Sequence, residues 1–169
     1  DYLHNDFGLG QKTGVELYEE SGTIISPEET EGNAVRYANM TFGHGMNLTM
    51  VQVASGFSSI INGGKYYQPT IVAGTMQDGK LVKAEQKAAL RQTISASTSA
   101  TMRKALREVR SVNGGKYDPA GYYVGVKTGT AETYDENGNY TSDKTGASVI
   151  GFGGTGKDDA MPQYVVMVR

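Results

Sequence analysis

The stretch "YYVGVKTGTAE", Tyr122–Glu132, decides the fold. Its first half alternates aromatic and β-branched residues with Gly125, the composition of a half-packed strand. Its second half places Lys127, Thr128, Gly129 and Thr130 in succession at the end of that strand. Further apolar runs follow, so the spacing predicts strands at Tyr122–Thr130, Ala147–Gly153 and Gln163–Val168. Consecutive strands of this kind usually pair antiparallel. The polar "ETYDENGNYTSDKTG" between the first and second reads as a long hairpin loop.

Working back from Tyr122, Met102, Leu106 and Val109 share one face of a helix predicted over about Ser97–Val112, stopped by Asn113-Gly114-Gly115. Upstream, "KYYQPTIVAGTM" and "DGKLVKAE" read as short extended runs around Asp78-Gly79, a dipeptide suited to a tight hairpin turn. Met50, Val53, Ala54, Phe57, Ile60 and Ile61 recur at helical spacing. They predict a buried amphipathic helix, capped by Thr49 or Asn47 and ended by Asn62-Gly63-Gly64. Residues 1–32, with "EESG" and "PEETEG", read as connecting surface structure.

The chain has 169 residues, enough for one domain with a real core. Its 16 basic and 18 acidic residues leave a net charge of −2 without a basic stripe, so the electrostatic footprint of a nucleic-acid binder is missing. Zero cysteines exclude disulfides, thiolate chemistry and cysteine metal sites. The first residues, with Asp1, His4, Asp6, Glu16 and Glu19, do not form a signal sequence. The chain opens on Asp1 and stops at Arg169 directly after the strand-like "YVVMV", and so reads as an excerpt of something longer.

The triplet Lys-Thr-Gly occurs twice, at Lys12-Thr13-Gly14 and at Lys127-Thr128-Gly129. The first sits among glycines without strand alternation, which predicts a turn with Gly14 at positive φ and a solvated Lys12. The second ends a strand on which Gly125 and Gly129 leave the backbone bare to an approaching molecule. A regular pleat puts Lys127 and Gly129 on one face and Thr128 and Thr130 on the other. A cation, hydroxyls and edge N–H groups so close together suit a carboxylate and a developing oxyanion. A short motif of this kind arises by chance in about one chain in a hundred, so its context decides.

"VGVKTGTAE" resembles the third active-site motif of the penicillin-binding proteins, the serine transpeptidases that cross-link peptidoglycan. "FGLGQKTGVEL", "TFGHGMNLTMVQVASGFSSIINGGKYYQPTIV", "ASVIGFGG" and "QYVVMVR" are similar to that family in order and spacing, so the resemblance covers nearly the whole chain. It implies an α+β fold of the β-lactamase/transpeptidase type, with residues 1–169 as the C-terminal part of a single transpeptidase domain, class B in type. In that fold a mostly antiparallel sheet lies between helices; the first strands, the nucleophile helix and the helix after the last strand are missing from this sequence.

The resemblance further implies that Lys127 joins the proton-transfer and electrostatic network and helps bind the carboxylate of substrate or β-lactam. Thr128 would hydrogen-bond that carboxylate, Gly129 would keep the strand edge open, and the Thr130 N–H would be one of two oxyanion donors, its hydroxyl helping to hold the ligand. The implied partners are the peptidoglycan stem peptide, β-lactam antibiotics and the missing N-terminal part of the same domain. The implied location is the extracytoplasmic face of the bacterial cell membrane, through an N-terminal anchor absent here. Neither metal nor organic cofactor is called for. The alternatives are a related serine hydrolase or sensor (carboxypeptidase, β-lactamase or penicillin receptor) and a non-catalytic binding or scaffold module.

The chain departs from the family's full pattern because no Ser is followed three residues later by Lys. Thr101-Met102-Arg103-Lys104 reads as a helix face, and Ser111-Val112-Asn113, which has the form of the family's second motif, reads as a helix end. The nucleophile, its Lys and the Ser-x-Asn motif are therefore expected before Asp1, and this chain alone is expected to be inactive.

Other matches fail on context. Gly151–Lys157 fits the phosphate-loop spacing but is followed by Asp158 and Pro162, and reads as a glycine-rich strand connection. Asp135, Asn137 and Asn139 imitate a calcium loop whose glycine and glutamate positions hold Tyr140 and Gly146. Asn39, Asn47 and Asn139 begin glycosylation sequons in form only. His4 and His44 have no metal-spaced partner.

Overall fold

The computed structural model describes residues 2–26, 28, 34–114, 118–134, 140–156 and 160–169; for 113, 132–134 and 140–144 it describes the backbone alone. The chain forms two compact units, Asp1–Ser95 and Ala96–Arg169.

The first unit is organised by α3, Met50–Ile61, which follows the short α1, Tyr2–Asn5, and α2, Ala34–Asn39. Thr49 caps α3 in a reciprocal capping box: the Gln52 N–H donates to Thr49 Oγ1 at 3.2 Å and the Thr49 N–H to Gln52 Oε1 at 3.4 Å. The same Gln52 is fully buried. Its Nε2 donates to the carbonyls of Gln11 at 2.6 Å and Ser21 at 2.8 Å, which ties two loop segments to the start of the helix. Phe7, Ile25, Ile61 and Tyr66 form the buried apolar centre. The predicted helix is thus found within a few residues of its expected bounds, but its expected buried face is corrected. The buried residues are Gln52, Gly56, Ser59 and Ile61, Met50 is exposed, and Val53, Ala54, Phe57 and Ile60 are half-buried, because Gln52 and the small Gly56 and Ser59 face the packed loops.

Two short ladders complete this unit. Strands β1, Lys65–Tyr66, and β4, Arg91–Gln92, pair antiparallel, and the Arg91 guanidinium lies 4.0 Å from the centre of the buried Tyr66 ring. Strands β2, Gly74–Gln77, and β3, Lys80–Lys83, form the expected hairpin. Its corner residues, Asp78 and Gly79, have φ of 48° and 74°, the double left-handed turn that matches strand twist. Among the described residues of 1–32, α1 is the α-helix that departs from the expectation of connecting structure, and α2 was not foreseen. Neither helix buries a residue, so neither leaves the apolar periodicity that marks a helix in sequence.

The second unit consists of α4, Ala96–Gly114, and an antiparallel sheet in the order β5, Tyr122–Tyr134, β6, Tyr140–Thr155, and β7, Tyr164–Val168. Pairing runs from Tyr122↔Thr155 to Glu132↔Thr145 in unbroken register, then shifts between Glu132 and Thr133. The expected long loop is therefore corrected: most of it belongs to β5 and β6, with a register shift between Glu132 and Thr133, and 135–139 separate the arms. Strand pairing is made by backbone groups that every residue carries, so a polar composition concealed it. The calcium-like Asp135–Asn139, Lys157–Asp158 and the "PEETEG" segment, except for Glu28, lie outside the described residues.

On one face of this sheet Tyr123, Ile150 and Phe152 are buried, as is Leu106 of α4. The Phe152 ring occupies the space over Gly125, where a Cβ would come within 2.3 Å of it. The Tyr123 hydroxyl donates to the Ala160 carbonyl at 3.0 Å, and Arg107 of α4 stands 5.1 Å from the Tyr123 ring centre. Burial raises the Tyr123 pKa, while the nearby Arg103 and Arg107 charges pull it the other way.

Candidate active site

Lys127, Thr128, Gly129 and Thr130 are consecutive, exposed residues of β5. Strand β5 lies at the margin of its sheet, with β6 as its neighbour. The direction of the peptide groups along this margin follows from a bond at the far side of β6. There the Gln163 N–H donates to the Gly153 carbonyl at 2.9 Å, so Gly153 turns its peptide groups toward β7. Hydrogen-bonding direction alternates along an antiparallel strand. Residues 148, 150 and 152 therefore face β5, opposite 129, 127 and 125. Thr128 and Thr130, opposite Val149 and Ala147, turn their N–H and C=O groups away from β6, out of the sheet margin.

The side chains divide as the pleat requires. Lys127 and Gly129 share the face of Tyr123 and Phe152, whereas Thr128 and Thr130 share the face of Val124 and Val149. The Lys127 Nζ bends back along the strand and donates to the Thr128 carbonyl at 2.6 Å. That contact agrees with a Thr128 carbonyl lying outside the ladder.

Gly129 has a near neighbour that the motif does not name. A Cβ built on it would lie 2.8 Å from the Ser148 Oγ, and the Ser148 hydroxyl is 3.4 Å from the Gly129 carbonyl. Ser148 carries no signal in the sequence alone. Only the register, which sets it directly opposite Gly129, brings it to the motif.

The other Lys-Thr-Gly triplet is a turn anchored by its middle residue. Gly14 has φ of 80°, Lys12 is exposed and Thr13 is buried. Glu19 holds the turn, accepting from the Thr13 hydroxyl and N–H and from the Gly14 N–H at 2.8 Å. The Thr13 hydroxyl leads the contributions that depress the Glu19 pKa.

The remaining candidates fall into ordinary structure. Thr101 and Ser111 lie within α4 and return their hydroxyls to the carbonyls of Ser97 and Glu108. Residues Gly151–Thr155 belong to β6, and among the described residues that follow them no helix begins, as a phosphate loop would require. His44 sits 5.0 Å from the Phe42 ring, and its Nδ1 has no hydrogen-bond partner. Tyr122 is exposed beside the sheet, whereas Tyr123 is core.

Comparison with known proteins agrees with this arrangement. Residues 1–169 match the family described as penicillin binding protein transpeptidase domain. The chain is 36% identical over 165 residues to stage V sporulation protein D of Bacillus subtilis, covering 96% of this chain and 25% of that protein. It is 34% identical over 137 residues to the probable peptidoglycan D,D-transpeptidase FtsI of Caulobacter vibrioides, covering 77% of this chain and 21% of that protein. The chain thus spans a quarter or less of the length of these relatives.

Among solved structures, penicillin binding protein 3 of Mycobacterium tuberculosis superposes with a TM-score of 0.79 at 28% identity, over 98% of this chain and 38% of that one. The same protein complexed with ampicillin gives the same TM-score and identity. The α+β arrangement of helices and antiparallel strands is therefore part of a β-lactamase-like transpeptidase fold. With its whole length matched and its Lys-Thr-Gly strand at an open sheet margin, the chain belongs to the penicillin-binding protein transpeptidase family.

Proposed function

We propose that residues 1–169 are the C-terminal part of a single class B transpeptidase domain, and that the intact protein cross-links peptidoglycan by serine acyl transfer. A serine outside this chain attacks the carbonyl carbon of the D-Ala-D-Ala peptide bond. Its proton passes through the basic network to the leaving D-Ala amine as the C–N bond breaks. The resulting ester is then attacked by an amine of a neighbouring stem peptide, which releases the serine. A β-lactam opens on the same serine and stays there.

In this scheme Lys127 supplies charge to the proton network and the ligand carboxylate, and Thr128 hydrogen-bonds that carboxylate. Gly129 keeps the margin bare, and Thr130 offers its N–H to the oxyanion and its hydroxyl to the ligand. The observation that carries the scheme is the outward turn of the Thr128 and Thr130 peptide groups at an exposed sheet margin beside Lys127. Donors fixed in place before charge develops need no reorganisation, and losing one typically costs about 2–4 kcal/mol of transition-state stabilisation. The protein acts at the outer face of the cell membrane, where its polymeric substrate lies.

Covalent labelling by a fluorescent penicillin tests the proposal. The intact protein is expected to be labelled, and Lys127→Ala to slow labelling by about a hundredfold or more. The chain 1–169 alone is expected to take no label. Labelling of that chain, or a Lys127→Ala protein labelled at the parent rate, would refute the assignment. Steady turnover of a chromogenic β-lactam by the intact protein would point instead to a hydrolase.

A further inference from the structure

We infer that Ser148 is a positioning residue for the oxyanion donor: its hydroxyl holds the peptide unit between Gly129 and Thr130 in the orientation that aims the Thr130 N–H out of the sheet margin. The inference rests on the functional reading above and deepens it. The Gly129 carbonyl and the Thr130 N–H belong to the same peptide plane. In a planar trans peptide these groups point in opposite directions, so whatever fixes one fixes the other. The Gly129 carbonyl faces β6, and the Ser148 hydroxyl, on the residue directly opposite, lies 3.4 Å from it.

That plane needs a second hold because of the residue that begins it. Glycine at position 129 leaves the margin bare, but it also removes the Cβ that restricts rotation of the following peptide. Thr130 is exposed, and among the described residues its outward N–H has no ladder partner to resist a turn. The Ser148 Oγ stands 2.8 Å from where a Gly129 Cβ would be, the one neighbour among the described residues within 4 Å of that point. The hydroxyl thus occupies the space the glycine vacates and restores, by hydrogen bonding, part of the restraint lost with the side chain. The carbonyl retains a second lone pair for this contact besides the one used by the ladder.

The test compares Ser148→Thr with Ser148→Val in the intact protein; the two side chains share a shape and a preference for strands, and differ by a hydroxyl. Stopped-flow acylation by a fluorescent penicillin, followed over ligand concentration, separates pre-covalent affinity from the acylation rate constant. Ser148→Thr is expected to keep the parent rate constant within about twofold, and Ser148→Val to lower it about three- to tenfold with affinity little changed. Ser148→Ala, which adds no bulk, is expected to follow Ser148→Val and replaces it if that variant does not fold.

Equal rate constants for Thr and for the hydroxyl-free variants would overturn the inference. So would a loss confined to affinity, or an equal fall in all variants, since packing alone would then account for Ser148. A parent protein that takes no label overturns the functional reading and this inference with it. A labelled parent indifferent to Ser148 overturns this inference alone.

Discussion

Glu19 illustrates why identical triplets have unlike fates. Around Lys12 the carboxylate of Glu19 consumes the donors of Thr13 and Gly14, leaving nothing for a ligand. Around Lys127 the peptide groups of Thr128 and Thr130 are turned outward at a strand margin. Because the Glu19 carboxyl is held below its ordinary range, chiefly by the Thr13 hydroxyl, the charged form is favoured in the folded chain. A depressed folded-state pKa adds stability above the unfolded carboxylate value, and that contribution is lost as pH falls through the lower, folded value. Glu19→Gln is therefore expected to unfold more readily than the parent near neutral pH, with the difference vanishing below the usual carboxylate range. Urea titrations of both chains across that window check the sign. The positive φ of Gly14 was legible in the sequence because only the local chain is involved. The hub role of Gln52 was not, because its acceptors at Gln11 and Ser21 are brought to it by the fold.

At the level of elements, legibility followed local signals. Helix α3 and helix α4 lay close to their expected bounds because helical spacing and Asn-Gly-Gly stops mark them. Yet α3 buries Gln52, Gly56, Ser59 and Ile61 rather than a continuous apolar stripe, and α4 buries Ser99 and Leu106 while Val109 is exposed. The Asp78-Gly79 hairpin was legible because its turn demands unusual backbone angles that few dipeptides accept. Helix α2 and the two-residue strand β4 were missed, since elements so short create no period, whereas β1 falls inside the extended run read from Lys65 onward. The arms of β5 and β6 were missed because backbone pairing runs through a polar segment that composition alone reads as loop. The start of α3 offers a direct measurement. Thr49→Ala removes one half of the capping box and is expected to lower stability by about 1 kcal/mol, read as a reduced denaturant midpoint with an unchanged slope. An unchanged midpoint would mean that the Gln52 contacts to the loops hold the helix start by themselves.

Across the whole molecule, the second unit has a sheet with unequal faces. One carries Tyr123, Ile150 and Phe152 into the core. The other presents Tyr122, Val149, Tyr164, Val166 and Val168, all exposed. Contiguous apolar surface of this kind favours association. Sedimentation velocity of chain 1–169 is therefore expected to show average mass rising with concentration, and Val166→Thr, which keeps strand propensity while adding a hydroxyl, to reduce that rise. A parent chain that stays monomeric throughout would contradict the expectation.

The unpaired margin of β5 carries a further consequence. A border that welcomes a guest backbone is equally open to another copy of itself, and natural sheets guard such borders with charge. Lys127 is the ammonium group stationed at that border. Neutralising it would remove an electrostatic sentry along with the proposed binding group, so the same residue would stand between docking and fibril-like stacking.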